Sequence, residues 1–366
     1  MFLQLESLRG LAACAVVLYH SPFNVMDAPT GLLHNAYLFV DLFFILSGFV
    51  MTHAYAQRIR QGLPFFDFMV QRLGRIYPLH LLMLLVWVPY ILIKVHLFRS
   101  GFGGSDPSVQ SNATTFVTNL LLVHAWNLHE DLSWNFPSWS ISVEFAAYMV
   151  FYAWIRALDK GRTWWVPALI SAALYGALAA IDIRTLDFTS QFGVLRCLAA
   201  FYLGVAVYRL HAKHGPSLAS VPLLEALTVM ASVVAVWFAD QSILSLHLVP
   251  LAFAAVVFVA ACERPGPVGK MLLWTPIRRL GLWSYSIYMV NGIVMGGSIN
   301  VVQHLLHVDT SHGLGWKAVA LNTGILAVVV VLARPCYTWI ECRGRDASRR
   351  WLSTWRGRQG APTPGL

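Results

Sequence analysis

Apolar stretches of bilayer-crossing length recur along most of the chain, separated by short polar connections. The windows near residues 8–26, 36–54, 76–97, 138–156, 164–181, 191–210, 220–239, 244–262, 280–299 and 316–339 approach or exceed the roughly 20 residues that a hydrocarbon core requires. Lipid offers no partners to open backbone groups, so each window predicts a helix. The expected fold is an all-α polytopic membrane protein with about ten transmembrane helices. Residues 116–128 form an eleventh apolar candidate. They are too short to span and contain Thr118, Asn119 and His124, which predicts a surface or re-entrant helix instead.

Charge orients these helices. If the short segment does not cross, 21 of the 26 Lys and Arg residues fall on one side, including Arg58, Arg60, Arg72, Arg75, Arg278, Arg279 and the cluster after Arg334. The other five, Lys94, Arg99, Arg184, Arg196 and Lys317, fall on the opposite side. The positive-inside bias therefore predicts cytoplasmic N- and C-termini.

Composition narrows the class further. The 366 residues are 57% hydrophobic and 12% charged, about half the charge of a soluble domain, so an ordinary soluble enzyme, a disordered chain and a disulfide scaffold are excluded. The net charge of +9 reads as anchoring to anionic lipid rather than nucleic-acid binding. Cys14, Cys197, Cys262, Cys336 and Cys342 have no metal-ligand spacing and read as packed thiols; no metal site is expected. The sequence Leu11-Ala12-Ala13-Cys14 imitates a lipoprotein box, but Glu6 and Arg9 interrupt the few residues before it, so the first span is expected to be retained. The organisation expected is one transmembrane domain over 1–342 and a basic cytoplasmic tail over 343–366.

Polar groups inside apolar spans are costly and therefore informative. Arg9 and His20 lie on one face of the first span, about 16 Å apart along it. Asp41 stands in the apolar run of the second span. Glu144 lies about 9 Å into the fourth, counted from Ser138. At comparable depth these groups suit an imidazole base with a carboxylate to orient it; interhelical hydrogen bonding and helix capping account for the same residues equally well. Arg72 and Arg75, at i and i+3 on the third span, suit either topogenic charge or bidentate recognition of phosphate. Glu341 reads as a partner of Arg343 or Arg345, and His304, His307 and His312 as a solvated face.

Five ordered motifs resemble the acyltransferase family 3, integral-membrane O-acyltransferases that modify bacterial cell-surface glycans. They are Ser7-Leu-Arg9-Gly10-Leu-Ala-Ala with the downstream His20; Val40-Asp41-Leu-Phe-Phe-Ile-Leu-Ser47-Gly48-Phe49; Arg72-Leu-Gly-Arg75-Ile-Tyr-Pro78; Ser138-Trp-Ser-Ile-Ser-Val-Glu144; and Leu280-Gly-Leu-Trp-Ser284-Tyr285-Ser-Ile-Tyr288. The resemblance implies an acyl-CoA donor, usually acetyl-CoA, used from the cytoplasm. It also implies catalytic roles at His20, Glu144 and Asp41, donor binding at Arg9, Arg72 and Arg75, and substrate contacts at Ser47, Ser140, Tyr285 and Asn291. Asn291 stands where the family often has His. No hydrolase-like domain is expected after the last span, so acceptor handling is expected to fall to the membrane domain or a separate protein.

The function expected is transfer of an acyl group, by family habit acetyl, from acyl-CoA to a hydroxyl of a cell-surface or exported glycan or lipid-linked saccharide, in the bacterial inner membrane. A proton-coupled secondary transporter is the rival, since it also needs ionisable groups at mid-membrane. It predicts a repeat between the chain's halves, and neither the Arg9/His20 nor the Arg72/Arg75 pattern recurs.

Overall fold

A computed structural model describes residues 2–26, 31–102, 105–161, 163–214, 222–262, 265–305 and 313–358. Every regular element among them is helical. A long helix occupies each of the ten windows: α1 (Leu3–Tyr19), α2 (Phe39–Arg60), α3 (Phe65–Arg99), α5 (Trp139–Ala157), α6 (Trp165–Ile181), α7 (Gly193–His214), α8 (Pro222–Trp237), α9 (Ile243–Ala260), α11 (Thr275–Asn300) and α12 (Trp316–Pro335). Three further helices are α4 (Ala113–Leu120), α10 (Pro267–Leu272) and α13 (Cys342–Arg358). Six stretches are both long and apolar enough to cross a membrane unaided, namely α2, α3, α7, α9, α11 and the run from α12 into α13. The others are shorter, as in α6 and α8, or carry polar residues, as with Glu6 and Arg9 in α1 and Glu144 in α5.

At eight residues, α4 is about 12 Å long and does not span a bilayer. Exposed Leu85, Leu92 and Ile93 on α3 and Val328, Val331 and Leu332 on α12 account for the apolar excess in composition, because these are the faces left for lipid. The five cysteines form no disulfide, and Cys197 and Cys262 are buried. Arg162, Arg264, His307, His312 and the side chain of His304 lie outside the described residues.

The chain divides into two compact units, residues 1–54, 162–188 and 195–332, and residues 55–161, 189–194 and 333–366. Within the first, α1 runs along α11, and their backbones meet at Gly10 and Gly281. A Cβ on Gly10 would strike the Gly281 amide, and one on Gly281 the carbonyl of Glu6. Gly48 on α2 and Gly204 on α7 form a second such crossing, against the carbonyls of Phe201 and Ile45. Small residues drive helix association in lipid because close backbone approach replaces the hydrophobic effect there. Gly48→Ala therefore forces α2 and α7 apart at a cost of about 1–3 kcal/mol. The expected readout is a melting temperature in detergent several degrees below wild type; an unchanged value would show that the crossing has slack.

In the second unit, residues 343–358 are helical. They continue α12 through a π-helical turn, Cys336–Glu341, into α13. There Arg356 donates to both oxygens of the buried Asp67 carboxylate at 2.7 and 3.0 Å. Gly74 of α3 lies against Ser348, and Gly344 against Pro78. Glu341, in the π-helical turn, is buried.

Candidate active site

The motif around Arg9 combines packing residues with chemistry. Ser7 donates to the Leu272 carbonyl at 2.6 Å, tying α1 to α10, and Gly10 permits the α11 contact. The half-buried Arg9 and His20 are thus carried on a helix pinned at two points.

His20 does not sit in mid-helix as the apolar window suggested. The helix ends at Tyr19, and His20 caps it, its backbone N–H donating to the Val16 carbonyl at 3.1 Å. The segment beyond is stitched in place: Ser21 donates to Asn322 Oδ1, Asn322 Nδ2 donates to the Phe23 carbonyl at 3.0 Å, and the amides of Leu314 and Gly315 bond to the carbonyls of Asn24 and Val25. His20 is a half-buried imidazole on a fixed helix end. Its ring meets that of Tyr19 edge-on, with centroids 4.9 Å apart.

Asp41 has a partner that the sequence reading did not give it. Nε and Nη2 of Arg196 donate to its two oxygens, the shortest bond being 2.8 Å. Both side chains are sealed, at 0% and 1% exposure. The remaining donors of Arg196 reach the carbonyls of Tyr37 and Phe188, and Asp187 lies 3.6 Å away. Arg196 therefore belongs in a buried ion pair and not among loop cations. Its guanidinium lies 5.7 Å from the Tyr37 ring centroid, and Tyr37 is 5.9 Å from Tyr19. Asp41 is thus linked to His20 through Arg196 and two tyrosine rings. One charge of each sign in the interiors of two separate apolar windows was the available signal for this pair.

On α11, Tyr285 is buried and Asn291 is fully enclosed, with both amide atoms lacking a hydrogen-bond partner among the described residues. An enclosed amide with empty valences is the signature of a group awaiting a ligand or water. Ser47 is half-buried on α2.

In the second unit, Arg72 and Glu144 meet through a residue that the sequence reading missed. Arg72 Nη2 donates to Tyr148 Oη at 2.9 Å, and that hydroxyl donates to Glu144 Oε1 at 2.5 Å. The Arg72 guanidinium lies over the rings of Tyr148 and Tyr55, 4.7 and 5.8 Å from their centroids. Arg72 is buried and turned into the unit, whereas Arg75 is only half-buried. The i, i+4 spacing of Glu144 and Tyr148 was the legible clue. Ser140 donates to the Pro137 carbonyl at 3.4 Å. Ser142 fastens the preceding loop to α5 through the Leu122 carbonyl and the Ala125 amide.

In the second unit an arginine, a tyrosine and a carboxylate stand in series, groups suited to holding an anion; in the first, an imidazole stands at a fixed helix end, a group suited to moving a proton. Residues 2–337 match the model of the acyltransferase 3 family, described as an acyltransferase domain. The chain belongs to this family. The match contains all five motifs and both polar clusters. Among known proteins, the acyltransferase is 29% identical to Acyltransferase MdmB of Streptomyces mycarofaciens, over 96% of this chain and 94% of that one. It is 26% identical to the putative membrane-bound transacylase BcsY of Komagataeibacter xylinus, over 94% and 83%. It is 25% identical to the putative peptidoglycan O-acetyltransferase YrhL of Bacillus subtilis, over 78% and 47%. No solved structure matches it.

Proposed function

We propose that this membrane acyltransferase moves an acyl group, acetyl by family resemblance, from cytoplasmic acyl-CoA to a hydroxyl of a cell-surface or exported glycan, in the bacterial inner membrane. The observation that carries the reading is His20, an imidazole at the pinned end of α1 and inside the family match. The name of YrhL, putative peptidoglycan O-acetyltransferase, supports a glycan hydroxyl as acceptor.

In the proposed reaction His20 takes the proton of the acceptor hydroxyl as its oxygen attacks the thioester carbonyl. The carbon–sulfur bond then breaks and the departing thiolate recovers the proton from the imidazolium. An alternative route through an acyl-imidazole uses the same residue. Tyr148 and Arg72 hold Glu144 in position, and Asn291 offers its amide to substrate. Arg9 and Arg75 are assigned to the CoA phosphates, for which planar guanidinium forks are suited.

The test is CoA release from acetyl-CoA by the full chain in nanodiscs, with and without a surface-glycan extract. Glycan-dependent release is expected; neither release nor acetyl-CoA binding would end this reading. Arg75→Ala should raise the donor KM roughly tenfold or more, the value of about 1.5–3 kcal/mol for one charged hydrogen-bonding group, with kcat little changed. A fall in kcat at constant KM would instead assign Arg75 to the chemical step.

A further inference from the structure

Residues from Ser105 to Ser111 and from Leu132 to Phe136 help to line a cavity. Its volume is about 370 Å³, in the lower part of the range for ligand pockets, about 300–1,000 Å³. It lies wholly within the second unit, between the last turns of α3 and the segments around Asp106 and Trp134. Trp87 stands some 22 Å along α3 from Arg72, by 15 residues of helical rise, toward the end away from Arg58 and Arg60.

The walls are held rigidly. A reciprocal capping box between Asn112 and Thr115 starts α4. The Trp134 amide donates to Ser111 Oγ at 3.2 Å and its indole to Thr115 Oγ1 at 3.1 Å. Asn119 Nδ2 donates to Ser133 Oγ at 3.1 Å. Trp134 adopts a φ of 53°, a left-handed conformation that costs a bulky residue energy and persists only where its surroundings enforce it.

The lining chemistry is specific. Trp87, Trp134 and Phe136 supply rings, and Asp106, Gln110 and Lys94 supply polar ends. Trp87 is 93% buried, yet its indole N–H has no acceptor among the described residues, an unmet donor that a ligand oxygen would satisfy. Asp106 Oδ1 accepts from the Ser108 hydroxyl and amide at 2.7 and 2.9 Å, which hold its carboxyl below the usual range and fix the second oxygen as an acceptor. Lys94 lies 5.8 Å from the Tyr90 ring centroid. Aromatic rings for polarised C–H faces, with a carboxylate, an amide and an ammonium for hydroxyls, are the requirements of a saccharide.

We propose that this cavity is a saccharide subsite, holding one or two sugar units of the acceptor. The proposal rests on the glycan-acceptor reading above and assigns the acceptor a surface of its own, distinct from the donor arginines.

The test uses the full chain in nanodiscs and saturation-transfer NMR, with the tetrasaccharides of N-acetylglucosamine, cellulose and maltose as probes. Gln110→Ala removes an exposed side chain, Asp106→Asn keeps the shape of its turn, and Trp87→Phe removes the unmet donor. At least one tetrasaccharide is expected to bind wild type, and each variant to weaken it tenfold or more with acetyl-CoA binding unchanged. Binding of none of the three to wild type, or equal binding by wild type and Gln110→Ala, would overturn the subsite. This readout needs no turnover, so it stands apart from failure of the acyltransfer reading, which is loss of CoA release and of acetyl-CoA binding.

Discussion

His20→Ala is expected to lower glycan-dependent CoA release by about 10²- to 10⁴-fold, the range that a positioned base supplies, while leaving donor binding near wild type. The argument is local. His20 closes α1 with a backbone N–H bond to Val16 that alanine also makes, and its side chain is only half-buried. Fold and membrane insertion should therefore survive the change, and loss of turnover would not be loss of protein. Single-turnover kinetics in nanodiscs separate the steps: binding of acetyl-CoA persists while transfer stops. Turnover within a few-fold of wild type would remove His20 from the chemistry. Acid-quenched protein that retains labelled acetyl in the wild type, and loses it in His20→Ala, would select the acyl-imidazole route over direct attack.

Much of this was legible in the sequence because lipid imposes simple rules. Ten long helices occupy the ten apolar windows, since a bilayer permits little else to an apolar run of that length. The short α4 was legible for the same reason. Helix ends were less so. Hydropathy smears over several residues, and α1 both begins and stops earlier than its window, which moves His20 from mid-helix to a cap.

Pairings across the sequence were the least legible. Arg72 and Arg75 look equivalent at i and i+3, yet only Arg72 is buried, because Tyr55 and Tyr148 offer it ring faces and a hydroxyl. The cavity beside α3 was not legible either, since its wall is held by side-chain bonds around Trp134 that no periodicity encodes. The basic segment after 342 looked like a tail because its charges are conspicuous. It packs through Gly344 and the buried Leu352, and Asp67 accepts from its Arg356.

Asp41→Asn is expected to destabilise the protein by about 3–5 kcal/mol, the cost of leaving a buried charge without its partner. Arg196 is 1% exposed, and Asp187, an ionic neighbour at 3.6 Å, is half-exposed and screened by solvent, so it compensates only in part for the lost carboxylate. Arg196→Met should cost a similar amount by stranding Asp41. The double variant Asp41→Leu with Arg196→Met removes both charges together, and should be more stable than either single variant, because an apolar pair of similar volume carries no desolvation penalty. Melting temperature and yield of folded protein in detergent measure all three. Activity of the rescued double variant then decides what the pair is for. Turnover within about tenfold of wild type would make Asp41 and Arg196 the buried brace beneath Tyr37 and Tyr19, consistent with the moderate effect of groups that act only through packing. A stable double variant with turnover as low as His20→Ala would show instead that their field is needed at the imidazole, and an Asp41→Asn protein of wild-type stability would contradict the brace altogether.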